Sequence, residues 1–399
     1  MKRFVLTVAI ALFTVASFAQ KGNITNAAMA FKDAQGNMAD LEKSTKDLME
    51  AKDYIDKACA HPDTKESPKG LMYKGKIYVE LSLKMMMTED QSGFNGMEPE
   101  KLMEEGFAAL IKSKEVDKKE RYVDDVNGYA NQYRVMLSTM GSNAYQEEKY
   151  EEAMGGLLGA AQFGEILGVT DSNYYFFGGM AAFANESFDV AEEAFAKCIA
   201  INFNTAESVG YLAKSLKAQD KTDEAEKALT DAVAKYPDNL DVLIQMTNFY
   251  IDNERNEDAE KALSAAIILD PSNTALLYTS GIIYEGMGRM EDAEAAYKKT
   301  LSIDPKHTDA KYSLGVFYFN QGADMYNEAN KLPFGDPSYD IKVAESKEFF
   351  NKSVSTLEEA SAAAPKDISI LEALKLAYGK AGMVDKFKET KAKIAELKG

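Results

Sequence analysis

Four consecutive stretches of this sequence, 172–205, 206–239, 240–273 and 274–307, align beneath one another without gaps at a period of 34 residues. Self-similarity at that period constrains the fold more than any composition, because each stretch must be one supersecondary unit that repeats. The columns carry the detail. Position 20 reads Ala191, Ala225, Ala259 and Ala293, and position 24 reads Phe195, Leu229, Leu263 and Tyr297. Position 27 reads Cys198, Ala232, Ala266 and Thr300. Position 8 holds Gly179, Ala213, Thr247 and Gly281, and position 32 holds Phe203, Pro237, Pro271 and Pro305.

Apolar residues recur at spacings of three and four within each half, which is a helical and not an alternating pattern. Small residues at positions 8, 20 and 27 let two antiparallel helices approach closely, while positions 4, 7, 11 and 24 supply apolar filling. Proline at position 32 cannot continue a helix and marks where the second one ends. Each unit is therefore a helix–turn–helix hairpin that buries its open face only by stacking on neighbours. The pattern resembles the tetratricopeptide repeat in length, small-residue columns and closing proline. Residues 274–307 are the fullest copy, with Leu277, Ser280, Gly281, Tyr284, Ala293, Tyr297 and Pro305 at the family's key positions. The family's tryptophan at position 4 is replaced by Tyr175, Val209, Leu243 and Leu277. The resemblance implies an all-α fold, an α-solenoid of stacked hairpins wound into a right-handed superhelix.

The remaining segments are placed around that array. Residues 1–19 carry Lys2 and Arg3, an apolar run from Phe4 to Val15, then Ser17 and Ala19. That is the plan of a signal peptide cleaved between Ala19 and Gln20, so export to the periplasm or medium is expected. No cysteine adjoins the cleavage point to carry a lipid. Residues 20–133 read as a degenerate helical region and 134–322 as the regular array. Residues 351–399 read as C-terminal helices with a capping pair rich in lysine (Lys386, Lys388, Lys391, Lys393). Between them, 323–350 is an insertion: the proline due at 339 arrives 26 residues late, at Pro365. A longer helical hairpin projecting from the stack is the expected result, either propping the C-terminal helices or meeting a partner.

Composition then narrows the function. With 46 basic against 64 acidic residues the formal charge is −18, or −20 once the leader is removed, which is the wrong sign for displacing counterions from nucleic acid. The two histidines, His61 and His307, stand at repeat junctions, and Cys59 and Cys198 lie far apart in the chain, so no metal set is assigned. Gly155-Gly156 and Gly178-Gly179 fall inside helices, where they favour close packing over phosphate binding. No HExxH, GxSxG or phosphate-loop motif is present, and no catalytic residue or cofactor is assigned. No segment after the leader is apolar enough to span a membrane.

What remains is surface. In the family that the repeats resemble, first helices line a concave groove through positions 2, 5, 9 and 12. Carried onto this chain, and joined by Tyr211, those positions give the candidate contacts Phe176, Met180, Phe183, Lys214, Ile244, Asn248, Tyr278, Ile282, Tyr312, Val316 and Phe319. Two outcomes stay open: a peptide groove, or side chains buried between neighbouring repeats. The family's lysine–asparagine–arginine carboxylate clamp is not expected, because only Lys214, Lys217 and Asn248 approach its pattern. The expected function is a non-enzymatic envelope scaffold that binds a protein or peptide partner. The alternative is a carrier or sensor of a small glycan or lipid, held on aromatic side chains.

Overall fold

The computed structural model describes residues 21–86, 88, 94 and 96–399; the expected leader, 1–19, lies outside the described residues. The chain divides into two compact units, one ending at Asn204 and the other spanning Thr205–Gly399. The first holds α1 (21–36), α2 (Leu41–Ala60), α3 (Pro68–Met86), α4 (Pro99–Val116), α5 (Val123–Gln146), α6 (Tyr150–Leu167), α7 (Ser172–Ala184) and α8 (Phe188–Ala200). The second holds α9 (Thr205–Ala218), α10 (Thr222–Lys235), α11 (Leu240–Asp252), α12 (Asn256–Leu269) and α13 (Thr274–Gly286). It continues with α14 (Met290–Ile303), α15 (Thr308–Ala329), α16 (Ser338–Ala363), α17 (Ile368–Lys380) and α18 (Val384–Lys398). No strand occurs among the described residues. The fold is an all-α solenoid of helical hairpins.

Within each unit the hairpins follow the 34-residue register. In the second, α9–α10, α11–α12, α13–α14, α15–α16 and α17–α18 pair in turn, and each later first helix packs on the second helix before it. Starts are set by caps at position 34. Asn239 and Asn273 accept from backbone amides of α11 and α13, and His307 Nδ1 accepts from Ala310 N at 3.2 Å. His307 is thus a helix cap. In the first unit, α5 begins at Val123 and runs through position 134, so its first helix is longer than the repeat register. Helices α1, α2 and α3 share one core through Ile24, Phe31, Ile55 and Ile77. Cys59 on α2 is half-buried and Cys198 on α8 is buried, and neither is disulfide-bonded.

Position 8 meets position 24 in the hairpins that carry glycine there. A Cβ added at Gly281 would collide with the Tyr297 ring, and one added at Gly179 would lie 3.1 Å from Phe195 Cζ. In the first unit's preceding hairpin, Gly141 and Gly156 face each other backbone to backbone. The insertion preserves this contact. Gly315 packs under Leu357, which is position 24 displaced by the 26 extra residues, and Ser353 Oγ donates to Gly315 O at 2.8 Å. The extended hairpin is not free-standing, however: α17 leans on α15, with Lys380 Nζ 5.3 Å from the Tyr326 ring centre.

Between hairpins a polar clamp recurs. The Tyr250 hydroxyl donates to Glu226 Oε1 at 3.1 Å, Arg255 Nη1 donates to Glu226 Oε2 at 2.5 Å, and the guanidinium sits 4.7 Å from the Tyr250 ring centre. One repeat later Arg289 donates to Glu260 at 2.7 Å and covers Tyr284 at 4.5 Å; Tyr318 then donates to Glu294 at 2.7 Å. Tyrosine at position 11 is therefore apolar filling with a polar end, tied to the previous hairpin.

These contacts fix two outcomes. Gly281→Ala should destabilise by about 1–3 kcal/mol through overpacking against Tyr297. Gly155→Ala, exposed in α6 with nothing near the new methyl, should be neutral or stabilise by up to about 1 kcal/mol. Urea unfolding of the two variants compares them directly. The hydrogen bond from Arg255 also holds the Glu226 carboxyl below its usual range. A carboxyl depressed in the fold stabilises it above the ordinary value near 4.3, and that contribution is lost as pH falls through the depressed value. Glu226→Gln should lower stability at neutral pH by less than about 1 kcal/mol and flatten the decline on acidification, read from urea midpoints down to about pH 3.

Candidate functional site

Successive helical residues turn by about 100°, so positions 2 and 9 lie almost in line, and positions 5 and 12 form a second line about 60° away. The two lines have different fates. At position 2, Asn173, Glu207, Asp241, Ala275 and Asp309 are all exposed. At position 9, Lys214, Asn248 and Ile282 are exposed, while Met180 and Val316 are half-buried. Position 5 turns toward the neighbouring helices. Phe176 is only 7 % exposed and sits among the rings of Phe177, Phe195 and Phe203, 5.6 to 6.0 Å between centres. It is a core residue and not a groove contact, because Phe203 stands where the other repeats have proline.

The remaining candidates of that line are half-buried and engaged. Tyr278 Oη and Ser313 Oγ share a hydrogen bond of 3.0 Å, and the Tyr278 ring lies against Tyr297 and His307. Tyr312 and Phe319 pack into the cluster built on Val354, Leu357 and Leu374, and Phe319 also meets the Phe350 ring at 5.5 Å. Phe183 meets Phe188 at 5.5 Å. Ile244 is half-buried on α11, and the half-buried Tyr211 ring lies 5.5 Å from the Lys214 ammonium. The aromatic candidates therefore serve mainly to join helices, and no row of open rings faces solvent along α9, α11, α13 and α15.

In the second unit the open face is thus one strip. Its position-9 line changes from Lys214 through Asn248 to Ile282 and Val316, polar to apolar along the stack. Its position-2 line carries Glu207, Asp241 and Asp309 in the first turns of α9, α11 and α15, where helix N-termini favour acid. Lys217 Nζ donates to Asp252 O at 3.0 Å, bridging α9 to α11. Beneath Lys214 and Asn248 lies a cavity of about 30 Å³ over Gly210, room for about one water. Among the described residues no three His, Cys, Asp or Glu side chains are grouped to hold a metal ion, and no helix is long and apolar enough to cross a membrane.

Periodicity did not reveal the exposed Met136 and Met140 on α5, nor the exposed Phe177 on α7, whose ring meets Tyr145 at 5.8 Å. The signal was available as an i, i+4 methionine pair, but those residues stand outside positions 2, 5, 9 and 12. The division between buried and open lines is directly measurable. Phe176→Ser should cost about 3 kcal/mol or more. Ile282→Ser should change stability by less than about 0.5 kcal/mol, with both read from urea unfolding.

Tetratricopeptide-repeat family models match residues 216–280 and 274–307. No curated protein sequence matches the chain. Among solved structures, MamA is 19% identical, with 48% of this chain and 91% of that one covered at a TM-score of 0.38. A TPR repeats protein from Bacteroides fragilis is 21% identical, covering 62% of this chain and 98% of its own at 0.31. A tetratricopeptide repeat protein from Parabacteroides merdae is 16% identical, covering 57% and 78% at 0.39. With the 34-residue register and the stacked hairpins in agreement with both family models, the chain carries tetratricopeptide repeats over residues 216–307.

Proposed function

We propose that this chain is a non-enzymatic scaffold of the bacterial envelope that captures a polypeptide segment on the open strip of α9, α11, α13 and α15. Tetratricopeptide repeats are protein-interaction scaffolds in general; the strip is what supports the finer reading. The observation that carries it is a line of side chains at positions 2 and 9, exposed at every position 2 and at Lys214, Asn248 and Ile282, while the line beside it is packed away. A segment crossing those helices meets carboxylates on one side and amide, then aliphatic, side chains on the other. Complementary partners carry basic residues opposite Glu207, Asp241 and Asp309, and an apolar residue opposite Ile282 and Val316. Export is supported by the composition of residues 1–19, and the acidic balance favours solubility outside the cytoplasm.

In vivo crosslinking followed by recovery of the full chain from envelope extract tests the reading. A stoichiometric polypeptide partner is expected, with Gln20 as the mature N-terminus. Ile282→Asp combined with Val316→Asp should reduce its recovery about tenfold or more while circular dichroism stays native. Undiminished recovery by that folded double variant would overturn the assignment of the strip.

A further inference from the structure

We infer that a pocket built by the inserted hairpin and the end of α17 binds a small aromatic carboxylate. The pocket, about 400 Å³, lies within the second unit, and none of its lining residues belongs to the open strip. Its volume falls in the range that small-molecule sites occupy, roughly 300–1,000 Å³. Three rings line it: Tyr326 from α15, with Tyr339 and Phe350 from α16. Phe350 is held by its contact with Phe319, and Tyr339 is exposed at the rim. This lining exists only because α15 and α16 are longer than the regular repeat helices and α17 closes against them.

Two further features select the ligand's polar end. Ser346 on α16 lies on the pocket wall, is fully buried, and its hydroxyl makes no hydrogen bond. A buried hydroxyl without a partner is uncommon, and a turn of the Ser346 side chain toward the pocket would let an acceptor brought by a ligand satisfy it. Lys347 and Lys380 also line the pocket, both exposed and neither in an ion pair among the described residues. By contrast Lys342, one turn before Ser346, is paired with Glu328 at 2.7 Å. Two uncompensated ammonium groups attract an anion. No arginine offers a fork for phosphate, and the rings prefer a planar apolar body. An aryl group with one carboxylate meets all three demands. It has two sources, a free aryl acid or the C-terminus of a polypeptide ending in an aromatic residue.

Titration calorimetry on the full chain tests this with 3-phenylpropionate, N-acetyl-glycyl-phenylalanine and the amide of each. Saturable binding of at least one acid, about tenfold tighter than its amide, is expected. Lys347→Met and Lys380→Met should each weaken it about fivefold or more, Lys347→Met without moving the thermal midpoint. Ser346→Ala should raise the midpoint of the unliganded protein and weaken the acid, a combination that a purely structural serine does not produce. Preference for the peptide acid identifies a polypeptide terminus, and preference for 3-phenylpropionate identifies a free acid; either supports the site. Failure of both acids to saturate, equal binding of acids and amides, or full affinity in both lysine variants overturns it. The Ile282→Asp, Val316→Asp double variant should bind the acids normally, which separates this pocket from the strip.

Discussion

One contact sets the spacing on which the rest of the solenoid depends: a small residue at position 8 beneath a large one at position 24. Where Gly281 lies under Tyr297 or Gly315 under Leu357, the two helices of a hairpin come closer than side chains ordinarily allow. That closeness fixes which residues of the first helix face inward, and hence which line is left open. It also explains how the array tolerates an insertion. The 26 extra residues enter between the two contact positions, and the contact re-forms at Leu357 because extra turns can be added to both helices without changing their separation.

The acidic balance is organised by the same register. Acids occupy the first turn of each second helix, as Asp223 and Glu224, Glu257 and Asp258, and Glu291 and Asp292. There they complement exposed N–H groups and the helix dipole. Further along those helices Glu226, Glu260 and Glu294 are directed at the next hairpin and receive tyrosine or arginine donors. Much of the excess acid in the array thus belongs to helix starts and stacking clamps. The charge left for a partner is the smaller set at position 2.

How much of this the sequence disclosed follows from what repetition can encode. A period of 34 residues specifies hairpins, their ends and the small-on-large columns, and the late Pro365 disclosed the 26-residue insertion. Periodicity assigns a face but not a depth. Positions 5 and 9 share a face by spacing, yet Phe176 is buried and Ile282 is 44 % exposed. The difference lies in neighbours the columns do not display, such as Phe203 replacing proline beside Phe176. The tyrosine–glutamate–arginine clamp was written in columns 11, 21 and 16, but reading it requires knowing which repeats touch. Non-repeating features had no column at all, so α1, the early start of α5 and the pocket beside Ser346 came only from the structure.

The insertion shows where a repeat protein acquires individuality. The regular repeats are bound by their stacking: position 8 stays small, and Tyr250, Tyr284 and Tyr318 at position 11 reach the previous hairpin. Lengthening α15 and α16 escapes those limits, because the added turns lie beyond the clamp and need satisfy no neighbour but α17. Residues there can be chosen for other ends, which is why rings, uncompensated lysines and an unpaired buried hydroxyl coexist in one place and nowhere along the regular stack of the second unit. Lys380 over Tyr326 ties that extension to the last hairpin. A ligand seated between them would contact both α16 and α17, and so would stiffen the end of the solenoid through the same helices that hold Tyr312 and Phe319 at the edge of the open strip.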